Sequence, residues 1–325
     1  MKPLITTGLK YAVGALSPRL RRIVSYHMGW EDERGRETGS DGGKELRPTI
    51  TLVAAEAVGG QAKAALPGAV AVELVHNFSL LHDDVVDGDR ERRHRPTVWA
   101  LFGLGEAVIA GDALLALAQR ILLADPKRQG ERAAEELNRG TAQMIEGQSE
   151  DLSFEARVDV SIEECLRMSR QKTAGLISSA AGIGGLLGGG DEPAVDALRG
   201  FGRHLGLAFQ AVDDILGIWG DPTVTGKPAA NDVRQHKKTI PVVHALATGE
   251  DRLELLALLS KADLTGSELN RAVHIITQAG SREWTQDLAW RNLVDSMTAL
   301  ESASLVPQAV DELRQLAGFV VQRDF

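Results

Sequence analysis

The spacing of the apolar residues constrains the fold of this chain more than any other feature. Apolar side chains recur three and four positions apart along nearly all of its 325 residues, without the alternating pattern of half-buried strands. Aromatic residues make up only 4% against 43% apolar in total, so the core should consist of small aliphatic side chains, which suit close helix packing. With no internal repeat and no linker, the sequence predicts one all-α domain over residues 1–325, with about ten or more helices.

Local signals mark several helix boundaries. Pro67 in "LPG" opens an apolar helix, and Ser161 followed by Glu164 has the form of a capping box. Asp191 before Pro193 in "DEPAV" is typical of an N-cap with proline in the first turn.

Charge and cysteine content limit the possible partners and compartment. The net charge is −9, from 45 acidic and 36 basic residues, which disfavours a nucleic-acid partner because such binding needs a basic surface. The single Cys165 excludes an internal disulfide, and no targeting segment is convincing, so we expect a cytoplasmic protein. The uncharged run from Thr173 to Gly190 is interpreted as a buried central helix whose glycines allow close approach, so no stable membrane insertion is expected.

An acidic cluster closes one of the apolar helices, in the stretch "LLHDDVVDGDRERR". His76, Ser79, Asp83 and Asp87 share one stripe of that helix, with Asp84 beside them. Acidic side chains at a helix C-terminus oppose the helix dipole unless a cation compensates them. Oxygen-only ligands on one face suit Mg²⁺ that also binds substrate phosphate, so the cluster indicates a metal site.

A second acidic pair, Asp213 and Asp214, also follows an apolar helix. If the two helices lie side by side, both sets of carboxylates face one cavity with apolar walls, which suits a hydrocarbon ligand. Metal ions there would bind diphosphate, and basic side chains would bind its remaining oxygens. The basic residues near the two clusters are Lys44, Arg47, Arg92, Arg93, Lys227, Lys237 and Lys238.

An ordered set of motifs resembles the trans-isoprenyl diphosphate synthase, or polyprenyl synthetase, family. "GGKELRP", "DDVVD" followed by "RERR", "EGQSEDL", "RQKTAGL", "FQAVDDILG" and "GKPAANDVRQHKKTIP" occur in the family's order. The resemblance implies a single-domain helical bundle around a deep central cavity. It also implies a Mg²⁺-dependent prenyltransferase that condenses isopentenyl diphosphate with dimethylallyl, geranyl or farnesyl diphosphate, and that works as a homodimer.

The resemblance also implies roles for individual residues. Asp83, Asp87 and Asp213 would bind Mg²⁺, three ions per active site, and the catalytic group would further include Asp84, Asp214, Lys172 and Lys237. The allylic diphosphate would be held by Arg92, Lys172, Lys227 and Lys237, assisted by Thr173 and Gln210. The isopentenyl diphosphate pocket would be formed by Lys44, Arg47, His76 and Arg93.

Product length is expected to depend on the helix turn before Asp83. Phe78 lies five positions and Ser79 four positions before Asp83, and one helical turn is about 5.4 Å, close to one isoprene unit. An aromatic residue at the fifth position, with an uninterrupted acidic motif, resembles enzymes that stop at C20. The pattern favours geranylgeranyl diphosphate, with farnesyl diphosphate or a longer polyprenyl diphosphate as alternatives.

Two positions depart from the family's pattern. Gly217 stands where the second motif usually has its last aspartate, and Asp221 could substitute for it through water. We expect a Gly217→Asp substitution to be tolerated, because it would restore a ligand four residues after Asp213. His94 replaces the glycine of the family's "RRG", and the sequence offers no interpretation of that change.

Two other functions share part of this pattern. A class I terpene cyclase has the same fold and metal chemistry, but it does not need the isopentenyl site that Lys44, Arg47, His76 and Arg93 would form. A non-catalytic partner subunit of a synthase should have lost the first acidic motif, which this chain retains.

Overall fold

The protein is described from a computed structural model that covers residues 1–39, 45–124, 128–221, 230–261 and 263–321. Its first part contains α1 (Lys2–Gly14), α2 (Pro18–His27), α3 (Leu46–Ala57), a 3₁₀ turn (Ala62–Ala65), α4 (Leu66–Val86), β1 (Glu91–Arg92), β2 (Arg95–Pro96), α5 (Val98–Phe102) and α6 (Leu104–Leu123). The chain continues through α7 (Arg128–Glu155), α8 (Ile162–Ser169), a π-helical turn (Arg170–Ala174), α9 (Gly175–Leu187) and α10 (Glu192–Trp219). The remaining helices are α11 (Asn231–Arg234), α12 (Ile240–Thr248), α13 (Arg252–Leu259), α14 (Gly266–Gln278), α15 (Ser281–Leu300) and α16 (Pro307–Val321).

The predicted all-α fold is confirmed. Within the described ranges, the only paired strands are β1 and β2, two residues each. The predicted capping box at Ser161 is also present, since Glu164 N donates to Ser161 Oγ and Ser161 N donates to the Glu164 carboxylate. Asp191 caps α10 as expected, because its Oδ1 accepts a 3.0 Å hydrogen bond from Ala194 N.

The chain divides into two compact units. Unit 1 comprises Met1–Thr141, Ser179–Arg199 and Glu301–Leu313, and unit 2 comprises Ala142–Ser178, Gly200–Leu300 and Arg314–Phe325. The expectation of one domain over residues 1–325 stays a prediction.

The core of unit 1 is built around α4, which has Pro67 in its first turn as predicted. Two glycines allow close helix contacts in this core, Gly68 of α4 with α9 and Gly184 of α9 with α3. A Cβ on Gly68 would lie 2.5 Å from Ile183 Cγ2, and one on Gly184 would lie 2.2 Å from Thr51 O. Such distances exclude any larger side chain, so the interpretation of the glycine-rich run as a close-packing segment is confirmed.

The same helix is the part of the described chain that is long and apolar enough to cross a membrane by length and composition. Together with the preceding 3₁₀ turn it runs from Ala62 to Val86, with a mean hydropathy of 1.4 over its best window. However, 67% of that window is buried inside the protein, as in a core helix of a globular fold.

The core of unit 2 joins the end of α10 to the helices that follow it. Ile218 of α10, Val233 of α11 and Val242 of α12 belong to one buried cluster with Leu255 of α13 and Ile276 of α14. The cluster fixes the position of the short α11 relative to the last turns of α10, which carry the second acidic pair.

Candidate active-site residues

The end of α4 separates the three aspartates of the first motif onto two faces. Asp83 and Asp87 are partly accessible to solvent, whereas Asp84 is 1% exposed. The separation follows from helix geometry. Neighbouring side chains on a helix point about 100° apart, whereas side chains four residues apart lie nearly in line. Asp83 and Asp87 therefore share the accessible face on which a cation could bind.

Asp84 is held inside by an arginine from the segment that follows. Arg92 Nε donates a 2.7 Å hydrogen bond to Asp84 Oδ1, with 32% of the Arg92 side chain and 2% of the Asp84 side chain exposed. The buried Asp84 Oδ2 has no hydrogen-bond partner among the described residues. Burial raises the pKa of Asp84, and the charge and hydrogen bond of Arg92 oppose that rise. This geometry makes Asp84 an anchor for Arg92.

A tight hairpin positions the arginines that follow the first motif. Arg92 in β1 pairs with Arg95 in β2, and the two residues between them, Arg93 and His94, have φ values of 53° and 59°. Both central residues of a type I′ hairpin turn need positive φ, which favours glycine. The structure therefore explains what the sequence did not: position 94 takes a left-handed conformation that glycine adopts without strain and histidine adopts at some cost.

A cavity of about 270 Å³ lies beside this hairpin within unit 1. Its lining includes the expected Asp84, Arg92 and Arg93. It also includes His27 and Arg95. Sequence reasoning missed His27, which stands at the end of α2 without any motif, although Arg95 could have been found from its place in the basic run.

The electrostatics of this region suit an anionic ligand. Desolvation, followed by the charges of Arg92, Arg93 and Arg95, lowers the pKa of His27 to about 3, so the ring is neutral at physiological pH. The cavity therefore carries three guanidinium charges beside a neutral imidazole, and guanidinium groups bind phosphate oxygens well.

Arg47 and His76, both predicted for the isopentenyl diphosphate pocket, lie together. Arg47 Nη1 is 3.4 Å from His76 Nε2. Burial, followed by the charges of Arg47, Arg92 and Arg93, lowers the pKa of His76 well below its usual value. Since a guanidinium can only donate, Nε2 of the neutral His76 accepts and Nδ1 carries the proton.

The second acidic pair shows the same division as the first. Asp213 is exposed, whereas Asp214 is 4% exposed. Both oxygens of Asp214 accept hydrogen bonds, at 2.6 Å from Gln210 Nε2 and at 2.8 Å from Ile240 N. Burial, helped by the charges of Asp232 and Asp213 and opposed by the two hydrogen bonds, raises the pKa of Asp214 to about 8. Asp214 thus fixes α12 to α10, and Asp213 is the member of the pair that can reach a ligand.

The "KT" motif occupies the π-helical turn of unit 2, a distortion that is frequent at functional sites. Lys172 Nζ donates to Asp151 Oδ2 over 2.6 Å. Thr173 Oγ1 donates to Gln210 Oε1, so the predicted Thr173 and Gln210 share a hydrogen-bond network with Asp214. This network brings together three predicted residues of unit 2, Thr173, Gln210 and Asp214.

Close packing at position 147 explains why the "EGQSEDL" motif carries a glycine there. A Cβ at this position would lie 2.3 Å from Lys172 N and 2.7 Å from Lys172 Cα. These are backbone atoms of the π-helical turn, so a larger residue would displace the predicted diphosphate ligand.

Gly217 is packed against a carboxylate that the sequence analysis overlooked. A Cβ at position 217 would lie 1.9 Å from Oδ2 and 2.6 Å from Cγ of Asp232. A side chain at position 217 would require the Asp232 carboxylate to move aside, so the expectation that Gly217→Asp is tolerated stays a prediction. Asp221, the expected substitute, is exposed beyond the end of α10.

Five residues of the predicted site remain: Lys44, Lys227, Lys237, Phe78 and Ser79. Lys44 and Lys227 lie outside the described residues. Lys237 is partly buried and its backbone N donates a 3.0 Å hydrogen bond to Asp232 O. Phe78 is 6% exposed and packs edge-on against His82 at 4.7 Å between ring centroids, while Ser79 Oγ donates to His76 O.

Metal binding fits the donor set if substrate completes the coordination. In the described part of the chain, no group of three or more His, Cys, Asp or Glu side chains could hold a metal ion by itself. Asp83 and Asp87 on one accessible face form instead an oxygen-only pair. Mg²⁺ typically binds one or two carboxylates and completes its octahedron with water and phosphate, so the pair suits a cation that arrives with a diphosphate.

Comparisons with known proteins agree with this chemistry. A (2E,6E)-farnesyl diphosphate synthase of Mycobacterium tuberculosis is 44% identical over 326 residues, covering 98% of this chain and 90% of the relative. A geranylgeranyl diphosphate synthase of the same organism is 41% identical over 306 residues, covering 93% and 87%.

Solved structures show the same fold. The polyprenyl synthetase of Streptomyces coelicolor A3(2) matches with a TM-score of 0.94 and 45% identity, over 98% of this chain and 97% of that one. A polyprenyl synthase of Caulobacter crescentus, complexed with calcium and isoprenyl diphosphate, matches with a TM-score of 0.80 and 28% identity, over 99% and 98%. The polyprenyl synthetase family itself matches residues 32–276. The chain therefore belongs to the polyprenyl synthetase family.

Proposed function

We propose that this chain synthesises geranylgeranyl diphosphate, in a Mg²⁺-dependent reaction that adds isopentenyl diphosphate to an allylic diphosphate. As a member of its family the chain is a prenyltransferase that condenses these two substrates. The observation that carries the assignment is the end of α4, where accessible Asp83 and Asp87 precede a hairpin whose arginines line an anion-binding cavity.

Divalent metal use rests on the donor set and on a relative. The Caulobacter synthase contains calcium with its isoprenyl diphosphate, and the accessible carboxylates here suit a hard cation. We assign Asp83 and Asp87 as ligands of one such cation and Asp213 as a ligand of a further one. A divalent cation held by these carboxylates would supply positive charge that neutralises the diphosphate leaving group.

The side chains of this chain bind and orient the substrates. Arg92, Lys172 and Lys237 would hold the allylic diphosphate, positioned by the Asp84 and Asp151 carboxylates that pair with the first two. Neutral His76 with Arg47 and Arg93 would hold isopentenyl diphosphate. Stabilised in this way, the allylic C–O bond ionises, and the double bond of isopentenyl diphosphate attacks the resulting carbocation.

Loss of a proton completes the reaction. The elimination forms the new double bond, and we assign the proton to the departing diphosphate. The imidazoles of His27, in the cavity, and of His76, beside Arg47, have lowered pKa values because of burial and nearby arginine charges, so they are poor bases for this step.

Product length rests on the position of Phe78. Its ring is buried on α4 one turn before the metal-binding face, where it could form the floor for a growing chain. Ser79 is small, so the cavity would be deeper than if both positions 78 and 79 carried aromatic side chains. Farnesyl diphosphate is the second candidate, because the 44% identical relative is a farnesyl diphosphate synthase.

Assembly and location are proposed on separate grounds. A homodimer is suggested by large apolar side chains that remain exposed on α6, such as Leu104 at 60%, Ile109 at 54% and Leu123 at 58%. Sedimentation at micromolar concentration tests this, since a monomer would contradict it. A cytoplasmic location is suggested by the free, buried Cys165.

The decisive assay is incubation with radiolabelled isopentenyl diphosphate, Mg²⁺ and each allylic primer in turn, followed by chromatography of the products. The proposal expects a C20 product from dimethylallyl, geranyl and farnesyl diphosphate, and no product with chelator. A C15 limit would replace the product assignment by farnesyl diphosphate. No condensation with any primer would overturn the proposed activity.

A further inference from the structure

A histidine on α4 lies between Phe78 and the neighbouring helix α6. His82 follows Phe78 by four residues, so the two side chains lie on one face of α4. Their rings meet edge-on, with the centroids 4.7 Å apart and the planes at 67°. Aromatic rings prefer this arrangement to a face-to-face stack. The imidazole is therefore placed to fix the orientation of the Phe78 ring, which is 6% exposed.

The imidazole of His82 is itself anchored to α6. Its Nε2 lies 3.1 Å from Val108 O. Because a carbonyl oxygen can only accept, Nε2 carries a proton and donates it to this hydrogen bond. Asp112 Oδ1 is 3.7 Å from the same nitrogen, but 65% of the Asp112 side chain is exposed, so water weakens that interaction. The bond to Val108 is thus the contact that fixes the ring from the side of α6.

A glycine on α6 leaves the space that this ring occupies. A Cβ on Gly111 would lie 2.3 Å from His82 Nε2 and 2.5 Å from His82 Cδ2. Any side chain at this position would therefore require the imidazole to move. Glycine is less stable than alanine in a helix interior, so its presence in the middle of α6 has a local reason, which is the space for His82.

We propose that His82 is a positioning residue for product length, whose ring, bonded to Val108 and accommodated by Gly111, fixes Phe78 as the floor of the chain-elongation cavity. The inference rests on the floor that the proposed function assigns to Phe78, and it adds that α6 controls this floor through His82. Without the imidazole, the Phe78 ring can turn into the space that His82 leaves. A longer hydrocarbon chain would then fit.

The test compares product lengths, which do not depend on how much of the enzyme is active. The condensation assay is run with each variant, and the readout is the ratio of products longer than the wild-type limit to products at that limit. His82→Ala removes the ring, and His82→Gln keeps a donor for Val108 O without the ring. Loss of one aromatic contact changes a conformational equilibrium about 2- to 10-fold, so both variants should raise the ratio by about that factor. A merely structural role would lower Tm without raising the ratio.

Gly111→Ala displaces the imidazole from the side of α6 and leaves the sequence of α4 unchanged. Gly105→Ala, on the same helix, is the matched control, because a Cβ there meets nothing within 4 Å. We expect Gly111→Ala to change the ratio about 2-fold or more and Gly105→Ala to leave it unchanged. In the His82→Ala background, Gly111→Ala should have no further effect, since the ring that it displaces is gone.

A further pair of variants separates this inference from the floor assignment on which it rests. Phe78→Ala should raise the ratio by itself, and adding His82→Ala to it should change nothing more. If Phe78→Ala raises the ratio but His82→Ala and His82→Gln do not, the role of His82 is refuted while the floor stands. If Phe78→Ala leaves the ratio unchanged, the floor assignment fails, and the inference fails with it.

Two other outcomes would also overturn the inference. A further rise when His82→Ala is added to Phe78→Ala would show that His82 acts on product length independently of Phe78. Should His82→Ala fail to fold, equal ratios for Gly111→Ala and Gly105→Ala would show that displacing the imidazole does not affect the floor.

Discussion

Arg92 Nε lies 2.7 Å from Asp84 Oδ1, and this contact joins the buried aspartate of the first motif to the hairpin that follows it. The Asp84 side chain is 2% exposed and its second oxygen has no partner among the described residues. The stability of the motif should therefore depend on an arginine that is itself expected to bind substrate.

Arg92→Ala should lower the free energy of unfolding by about 1–3 kcal/mol, because it leaves a buried carboxylate without its donor. Adding Asp84→Asn should recover part of that loss, since the unpaired group is then neutral. Urea unfolding of the wild type, both single variants and the double variant gives the coupling energy. Strictly additive losses would show that the pair is not coupled.

Asp83→Ala and Asp87→Ala should act on catalysis and leave the fold intact, because both side chains lie on the accessible face of α4. Loss of one strong transition-state contact typically lowers the rate about 10²–10³-fold. The measurement is kcat/KM at saturating Mg²⁺, with circular dichroism as the control for folding. Normal turnover in either variant, with unchanged Mg²⁺ dependence, would contradict the metal assignment.

Gly147→Ala should be destabilising, because its Cβ would lie 2.3 Å from the backbone N of Lys172. Overpacking of this kind typically costs about 1–3 kcal/mol, and the displaced Lys172 should raise the KM for the allylic diphosphate. Gly105→Ala in α6 is the matched control, since a Cβ there meets nothing within 4 Å. Equal stability of the two variants would show that the backbone of the π-helical turn can shift to accommodate the added methyl group.

Glu73 should make stability depend on pH. It is 8% exposed, and burial raises its pKa from 4.5 to about 7, partly opposed by Arg47 and by the hydrogen bond from Asn77. Between these values the folded chain binds more protons than the unfolded chain, so the free energy of unfolding falls as pH rises, by up to about 1.4 kcal/mol per unit.

Glu73→Gln removes this titration while keeping an acceptor for Asn77. The stability of the wild type minus that of the variant should therefore decrease from pH 5 to pH 7 and then level off. Urea unfolding at each pH provides the values. A difference that is constant across this range would mean that Glu73 does not titrate there.

Phe78→Ala should lengthen the products beyond the wild-type limit, and Ser79→Phe should shorten them, if Phe78 is the floor of the chain-elongation cavity. Leu81→Ala is the control, because Leu81 is fully buried on the same helix and its loss should change stability without changing product length. Chromatography of the products checks all three. An unchanged distribution in both Phe78→Ala and Ser79→Phe would place the floor on another helix.

The sequence alone determined the helical class, the helix ends at Ser161 and Asp191, and the two acidic motifs. These features are local, since a 3.6-residue period, a capping side chain or an i, i+4 pair is set by neighbours within one or two turns. The same period explains why Asp83 and Asp87 could be assigned to one face before any coordinates were known.

Only the tertiary structure decided how distant segments meet. It buried Asp84 against Arg92, gave Arg93 and His94 positive φ in a hairpin, added His27 to the arginine-lined cavity, and brought Asp232 against Gly217. Residues 217 and 232 are joined by no periodic pattern, and their contact depends on packing Ile218 and Val233 into a common core. A missing carboxylate at position 217 is visible in the sequence, whereas the Asp232 side chain that lies beside that position is visible only in three dimensions.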